Sequence, residues 1–455
     1  MNLKKQLEIA RAASRKVALI STKEKNSALL KIAAALEKNA KKIEIANLKD
    51  LKLGEKKNLG EKLDRLKFDK KRILASAAEV RKIVRLPDPV GKILETAKSR
   101  AKFKLQRISV PLGVIAMIYE SRPNVTIDAI ALALKSGNAI VLRGSSDALN
   151  SNRAIVKIIR ESLQSTKISA EAIQFIDSKD RKIVGELLKS REFIDLVIPR
   201  GGRGLIDFVA ANSTIPTIET GASVVHLFID AKVNLEKAVQ IAVNSKMRRV
   251  SICNALDTLL VHEKIAKKLL EKLLPKLEEK GVKIHAKKEE LTPEISRGLI
   301  STNYKLQTTN FSKEWLSYDL NIKVVKNLDE AIAHISKYSL RHTEAIVSED
   351  KKAVEKFLRE VDAACVYANL STQFSDGGEF GLGAEIGIST QKLHARGPFA
   401  LEALTTYKWV GRGKGEIRIK GNFFGRIFIL RSFKIFTLPV LRFPNQCLTL
   451  PKKHF

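Results

Sequence analysis

Apolar residues recur every three to four positions through the first 48 residues: Leu3, Leu7, Ala10 and Ala13, then Leu29, Leu30, Ile32, Ala33 and Leu36. That spacing gathers them on one helical stripe, so two long helices are expected to open the chain. From about residue 101 the period shortens. Residues 104–119 (KLQRISVPLGVIAMIY) read as β structure broken at Pro111-Leu112-Gly113. An alternation then begins: a helix over 125–136 closed by Gly137, a strand at 139–143, and a helix from Asp147 to about Leu163. Strand 172–176, helix 180–189, strand 194–198, a glycine-rich turn at 199–204 and helix 205–212 continue it. A second series runs through strand 223–229, helix 234–246, a loop holding Cys253, strand 257–261 and helix 263–280. Later strands are expected at 322–325, 344–347 and 364–369. Strands and helices alternating in this way predict parallel βαβ units in open sheets, whose ligands sit at the carboxyl ends of the strands. The loops after Arg143 and Ile198 are therefore where a cofactor is expected.

Composition changes this picture little. The chain has 455 residues, room for two or three domains, and an ordinary apolar fraction of 44%. No apolar run approaches the ~20 residues of a membrane-spanning helix. The opening segment lacks the apolar core of a secretory signal, so a cytoplasmic location is expected. Three cysteines without a CxxC pair make no disulfide framework, and the seven histidines show no metal-ligand spacing, so no metal site is expected. A net charge of +33 invites a nucleic-acid reading, but the lysines are spread over surface helices and no recognition motif accompanies them. Residues 419–455 differ: seven of the chain's 18 Phe lie there among basic residues and no acid, which reads as an atypical tail outside the fold.

Few residues carry candidate chemistry. Cys253, in RRVSICNALD, follows Arg248 and Arg249, whose charge would favour a thiolate able to hold an acyl group; a small core cysteine is the alternative. Glu219, in IPTIETGAS, is either a general base at a strand end or a solvated turn residue. Asn124, after Pro123, is either an oxyanion donor or a helix N-cap. RGSSDA (143–148) and PRGGRG (199–204) each join a strand to a helix and suit cofactor phosphates, though neither is GxGxxG.

In this order the segments resemble the gamma-glutamyl phosphate reductases of the aldehyde dehydrogenase superfamily. The likeness is carried by VPLGVIAMIYESRPNVTIDAIALALKSGNAIVLRGSS (110–146), IPRGGRGLI (198–206), IPTIETGAS (215–223), SICNALDTLLVH (251–262) and FGLGAEIGISTQKLHARGP (380–398). The resemblance implies an α/β, aldehyde dehydrogenase-like fold: two open twisted parallel-sheet domains and a small β oligomerisation flap. Residues 1–228 would be the cofactor domain, with 89–111 contributing to the flap. Residues 229–385 would be the catalytic domain, and 386–418 the return to the cofactor domain with the flap strand. The implied reaction is NADPH-dependent reduction of L-glutamyl 5-phosphate through a Cys253 thioester, with Asn124 and the Cys253 N–H holding the oxyanion. Arg143, Ser145 and Ser146 would meet the cofactor ribose and 2′-phosphate, and Gly201 and Gly202 its pyrophosphate. Glu219 takes the superfamily base position, although a water-activating base would hydrolyse the thioester. Asn254, His394 and Arg396 are implied substrate contacts, the last two alternatively serving the turn before Pro398. A homo-oligomer and the kinase that makes the acyl phosphate are the implied partners. The chain departs from the family at Asp257, where Glu is expected, and at Ala222–Val224, which lack a second glycine and an Asn. Two rival readings are an aldehyde dehydrogenase forming a free acid, and a non-enzymatic protein binding RNA or acidic membrane.

Overall fold

A computed structural model describes residues 2–60, 62–99, 103–286 and 308–417; the tail expected at 419–455 lies outside them. Three helices open the chain where the periodicity suggested two: α1 (Leu3–Val17), α2 (Thr22–Lys38) and α3 (Ala40–Lys56). Local chemistry makes the breaks. Ser21 and Glu24 form a reciprocal capping box that starts α2, and Asn39 separates it from α3. After α4 (Lys62–Leu66) comes a further helix, α5 (Lys70–Arg85), whose N-cap Asp69 side chain accepts from the Arg72 N–H.

The first parallel sheet has four strands in the order β5-β4-β3-β6: β3 (Val114–Tyr119), β4 (Ala139–Gly144), β5 (Ile173–Phe175) and β6 (Leu196–Arg200). Every residue of β3 and β4 is buried, as expected of a sheet covered by helices on both faces. The crossover α6 (Pro123–Lys135) is apolar nearly all round and buried. It stops at Ser136, and Gly137 turns the chain at φ +77°, a conformation that favours glycine. Helix α7 (Leu149–Leu163) follows β4, α8 (Lys182–Leu188) follows β5, and α9 (Arg203–Asn212) follows β6. The chain thus steps outward from β3 to β5 and returns to β6 on the other side of β3. That reversal brings the loops at 120–122, 144–146 and 201–202 to one sheet edge.

The second sheet, β12-β11-β7-β8-β10-β9, is parallel throughout. Its strands are β7 (His226–Ile229), β8 (Thr258–His262), β9 (Lys283–His285), β10 (Asp319–Val325), β11 (Thr343–Val347) and β12 (Cys365–Ala368). Helices α10 (Leu235–Met247) and α11 (Glu263–Glu278) cover one face, and helices Leu328–Tyr338 and Lys351–Glu360 pack on a separate apolar cluster. A third, antiparallel sheet joins β1 (Ile93–Lys98), β2 (Lys104–Pro111) and β15 (Thr405–Arg412). A two-stranded ribbon, β13 (Gly387–Ser389) and β14 (Gly397–Phe399), frames the 390–396 turn. Two parallel sheets with a small antiparallel flap are the architecture the resemblance implied. No helix among the described residues is long and apolar enough to cross a membrane.

Candidate active site

Cys253 lies in the connection between α10 and β8, half-buried, and the loop around it is tied down from one side. The Asn254 amide donates to the Ser375 carbonyl (3.0 Å), and the Thr372 hydroxyl donates to the Asn254 carbonyl (2.8 Å). The Gln373 amide donates to the Ser245 carbonyl at the end of α10 (2.8 Å). Asn254 is buried, its amide is committed to this turn, and its Oδ1 has no partner. Asp257 adds a second clasp, accepting the Val225 N–H (3.0 Å) and the Trp315 N–H (2.9 Å). Burial raises its carboxyl to about 7 against these hydrogen bonds.

The electrostatics correct one expectation. Burial drives the Cys253 thiol up to about 12, so it is protonated at neutral pH. The cation that opposes this most is Arg200, at the end of β6, rather than Arg248 or Arg249 of its own loop; Glu385 and Glu314 push the other way. Arg248 instead donates to Gln373 (3.4 Å), and Arg249 is exposed. Both carboxyls are half-buried and raised by burial. Glu314 accepts from the Ser223 hydroxyl (2.9 Å) and Glu385 from the Gly377 N–H (2.8 Å).

Across the cleft stands the carboxyl edge of the first sheet. Arg122 occupies the N-cap of α6 without a side-chain cap bond. Burial and the like charges of Arg200, Arg65 and Arg249 lower its guanidinium to about 10, while Cys253 acts in the opposite sense. Asn124, inside the first turn of α6, is therefore not the cap; its amide donates to Asp128 (3.1 Å), a half-buried carboxyl raised to about 6 by desolvation. Glu219 is half-buried, and its N–H donates to the Gln391 side chain (2.9 Å). Gln391 also donates to the Thr217 and His394 carbonyls, so one amide ties the 215–223 loop to the 390–396 turn. There the His394 ring contacts the Ala403 carbonyl (2.6 Å) and Arg396 pairs with Asp362 (2.7 Å). Both face protein partners.

The segments suited to a cofactor lie along the same edge. Arg143 is buried, gives its Nη atoms to the Gly144 and Asp180 carbonyls (2.9 and 3.4 Å), and keeps an unpartnered Nε beside the charge of Arg181. Ser145 accepts from the Ser121 N–H (3.2 Å), and Ser146 opens a short 3-10 turn. Gly202 donates its N–H to Glu120 (3.0 Å), whose carboxyl carbon would stand 2.7 Å from any Cβ at Gly201. Two neighbouring guanidinium groups, one with a free N–H, fit an anionic group such as a nucleotide phosphate. Among the described residues no cluster of three His, Cys, Asp or Glu is placed to hold a metal. Arg122, Arg200 and Glu385 stood inside quoted motifs but were not singled out by sequence; Glu314 lay in no motif at all.

A half-buried cysteine between two parallel sheets, facing a cationic sheet edge, defines an oxidoreductase of the aldehyde dehydrogenase class. The aldehyde dehydrogenase family profile matches residues 1–314. A gamma-glutamyl phosphate reductase of Caldanaerobacter subterraneus is 48% identical over 419 residues, covering 92% of this chain and 100% of that protein. One from Cronobacter sakazakii is 45% identical, covering 90% and 98%. The crystal structure of gamma-glutamyl phosphate reductase from Thermotoga maritima superposes with a TM-score of 0.88 at 44% identity, covering 92% of this chain and 100% of that one. The chain belongs to the gamma-glutamyl phosphate reductase family of the aldehyde dehydrogenases.

Proposed function

We propose that the protein reduces L-glutamyl 5-phosphate to L-glutamate 5-semialdehyde and phosphate, the second step of proline biosynthesis from glutamate, with NADPH as reductant. The observation that carries this reading is Cys253: a half-buried thiol opposite guanidinium groups suited to an acyl phosphate. The Cys253 sulfur attacks the acyl carbon, the carbon–oxygen bond to phosphate breaks, and its electron pair leaves with the phosphate. The thiol proton ends on the released hydrogen phosphate, so the step balances without a prior thiolate. Asn124 and the Cys253 N–H are assigned to the oxyanion; the Asn124 amide gives one N–H to Asp128 and has a second for the oxyanion.

Arg143, Ser145, Ser146, Gly201 and Gly202 would hold the reduced dinucleotide, which supplies the hydride when bound. The buried Arg143 beside Arg181 supports a 2′-phosphate and hence NADPH. In this reading Asn254 positions the Cys253 loop, and His394 and Arg396 serve the turn before Pro398; their contacts support these roles over substrate binding. Glu219 acts with Gln391 in shaping that wall, since a base activating water would destroy the thioester. The acyl phosphate is labile, which makes the kinase that forms it, glutamate 5-kinase, the pathway partner.

Incubation with the acyl phosphate and no reductant is expected to leave a glutamyl adduct on Cys253 by mass spectrometry, absent in Cys253→Ala. In the reverse direction, NADP reduction by the semialdehyde is expected to require phosphate. Phosphate-independent formation of free acid would overturn the reading.

A further inference from the structure

We propose that Arg122 and Arg200 form the receptor for the substrate's phosphoryl group and for the phosphate it releases; the inference rests on the acyl phosphate reading above. The other half-buried arginines among the described residues have carboxylate partners: Arg11 with Asp195, Arg72 with Asp64, Arg81 with Glu37, Arg107 with Glu95, Arg160 with Glu171, Arg396 with Asp362. Arg122 and Arg200 are both half-buried, yet among the described residues neither side chain makes a hydrogen bond or ion pair. Asp128 and Glu385 feel the charge of Arg200 without approaching to ion-pair distance. A guanidinium withdrawn from water without a counterion is costly, and two repelling each other more so. A dianion between them removes both costs and suits their planar donors.

Position supports the assignment. Tyr119 and Arg200 are register partners on adjacent strands, and the Glu120 N–H donates to the Arg200 carbonyl (3.0 Å), so Arg122 and Arg200 leave one sheet edge side by side. The Arg200 guanidinium lies against Gly387, where a Cβ would stand 2.8 Å from its Nη1. The charge of Arg200 acts on the Cys253 sulfur, and Cys253 acts in turn on Arg122, so both guanidinium groups lie near where the acyl carbon must sit. The leaving oxygen then departs toward fixed positive charge, where such donors stabilise the transition state.

The test uses the full-length enzyme in the reverse direction, with semialdehyde and NADP in excess and inorganic phosphate varied. Arg122→Met and Arg200→Met are each expected to raise the KM for phosphate by roughly 30-fold, the loss of one charge-assisted pair, with the KM for aldehyde within about twofold. Arg81→Met, on the far helices, is expected to leave both unchanged. In parallel, phosphate is expected to slow iodoacetamide labelling of Cys253 in the wild type but not in the variants. An unchanged phosphate KM, or equal rises for phosphate and aldehyde, would overturn the proposal. If a Met variant does not fold, Arg200→Lys decides: an intermediate phosphate KM supports the receptor, and a wild-type value sinks it. Were the wild type indifferent to phosphate, the reading beneath would fall first, and the receptor with it.

Discussion

At Cys253 two physical effects oppose each other on one sulfur. Removing a thiolate from water raises its pKa, and the Arg200 guanidinium lowers it; burial is the larger, leaving the thiol near 12. Because the ordinary thiol lies near 9, the shift is upward and the reactive fraction grows with pH well above neutrality. Iodoacetamide labelling of the free enzyme is therefore expected to accelerate by about tenfold per pH unit from pH 7 to 10 without levelling off. A plateau near pH 7 would show a preformed thiolate. Arg200→Met is expected to slow labelling at every pH in that range. The charge that most favours a thiolate here comes from Arg200, where the sequence pointed to Arg248 and Arg249. Neighbours in the chain, Arg248 and Arg249, are obvious on inspection; Arg200 reaches the sulfur only because another sheet is packed opposite.

The elements around the sulfur depend on a few buried polar groups. Asp257 holds the start of the β7 segment and the segment before β10 by two backbone N–H groups, and Lys246 is buried nearby with its ammonium on the Leu256 carbonyl (2.9 Å). Asp257→Ala is expected to destabilise the protein by about 2–4 kcal/mol in urea unfolding, since it strands two buried donors. Asp257→Asn, which keeps one acceptor, is expected to lose less. The short side chain that departs from the family pattern is thus built into a clasp of its own length. Strand and helix identities along 114–144 were legible because β3 and β4 are buried throughout and the turn between α6 and β4 carries its own glycine, Gly137. Helix α5 and helices Leu328–Tyr338 and Lys351–Glu360 were not read. Their charged outer faces dilute the apolar period, and tertiary burial of one stripe supports them.

For the whole molecule, the antiparallel flap stands out. Ile93, Leu94, Tyr407 and Trp409 are each about half exposed on it, with the Arg107 guanidinium over both aromatic rings. A sheet of three strands with open edges and such side chains is expected to be covered by another copy of the chain. Trp409→Asp combined with Tyr407→Asp is expected to lower the molar mass in light scattering while leaving the circular dichroism unchanged. A wild-type monomer would refute that assembly. The alternation of strands and helices from 104 to 280, with Cys253 between a helix and a strand, was legible in the sequence alone, because periodicity and turn chemistry act over a few residues. That Arg122 and Arg200 have no partner among the described residues, the placing of the Glu314 and Glu385 carboxyls and the neutral state of the thiol were decided only by tertiary structure. Charges interact through space and burial depends on what is packed above, and neither quantity is local in the chain.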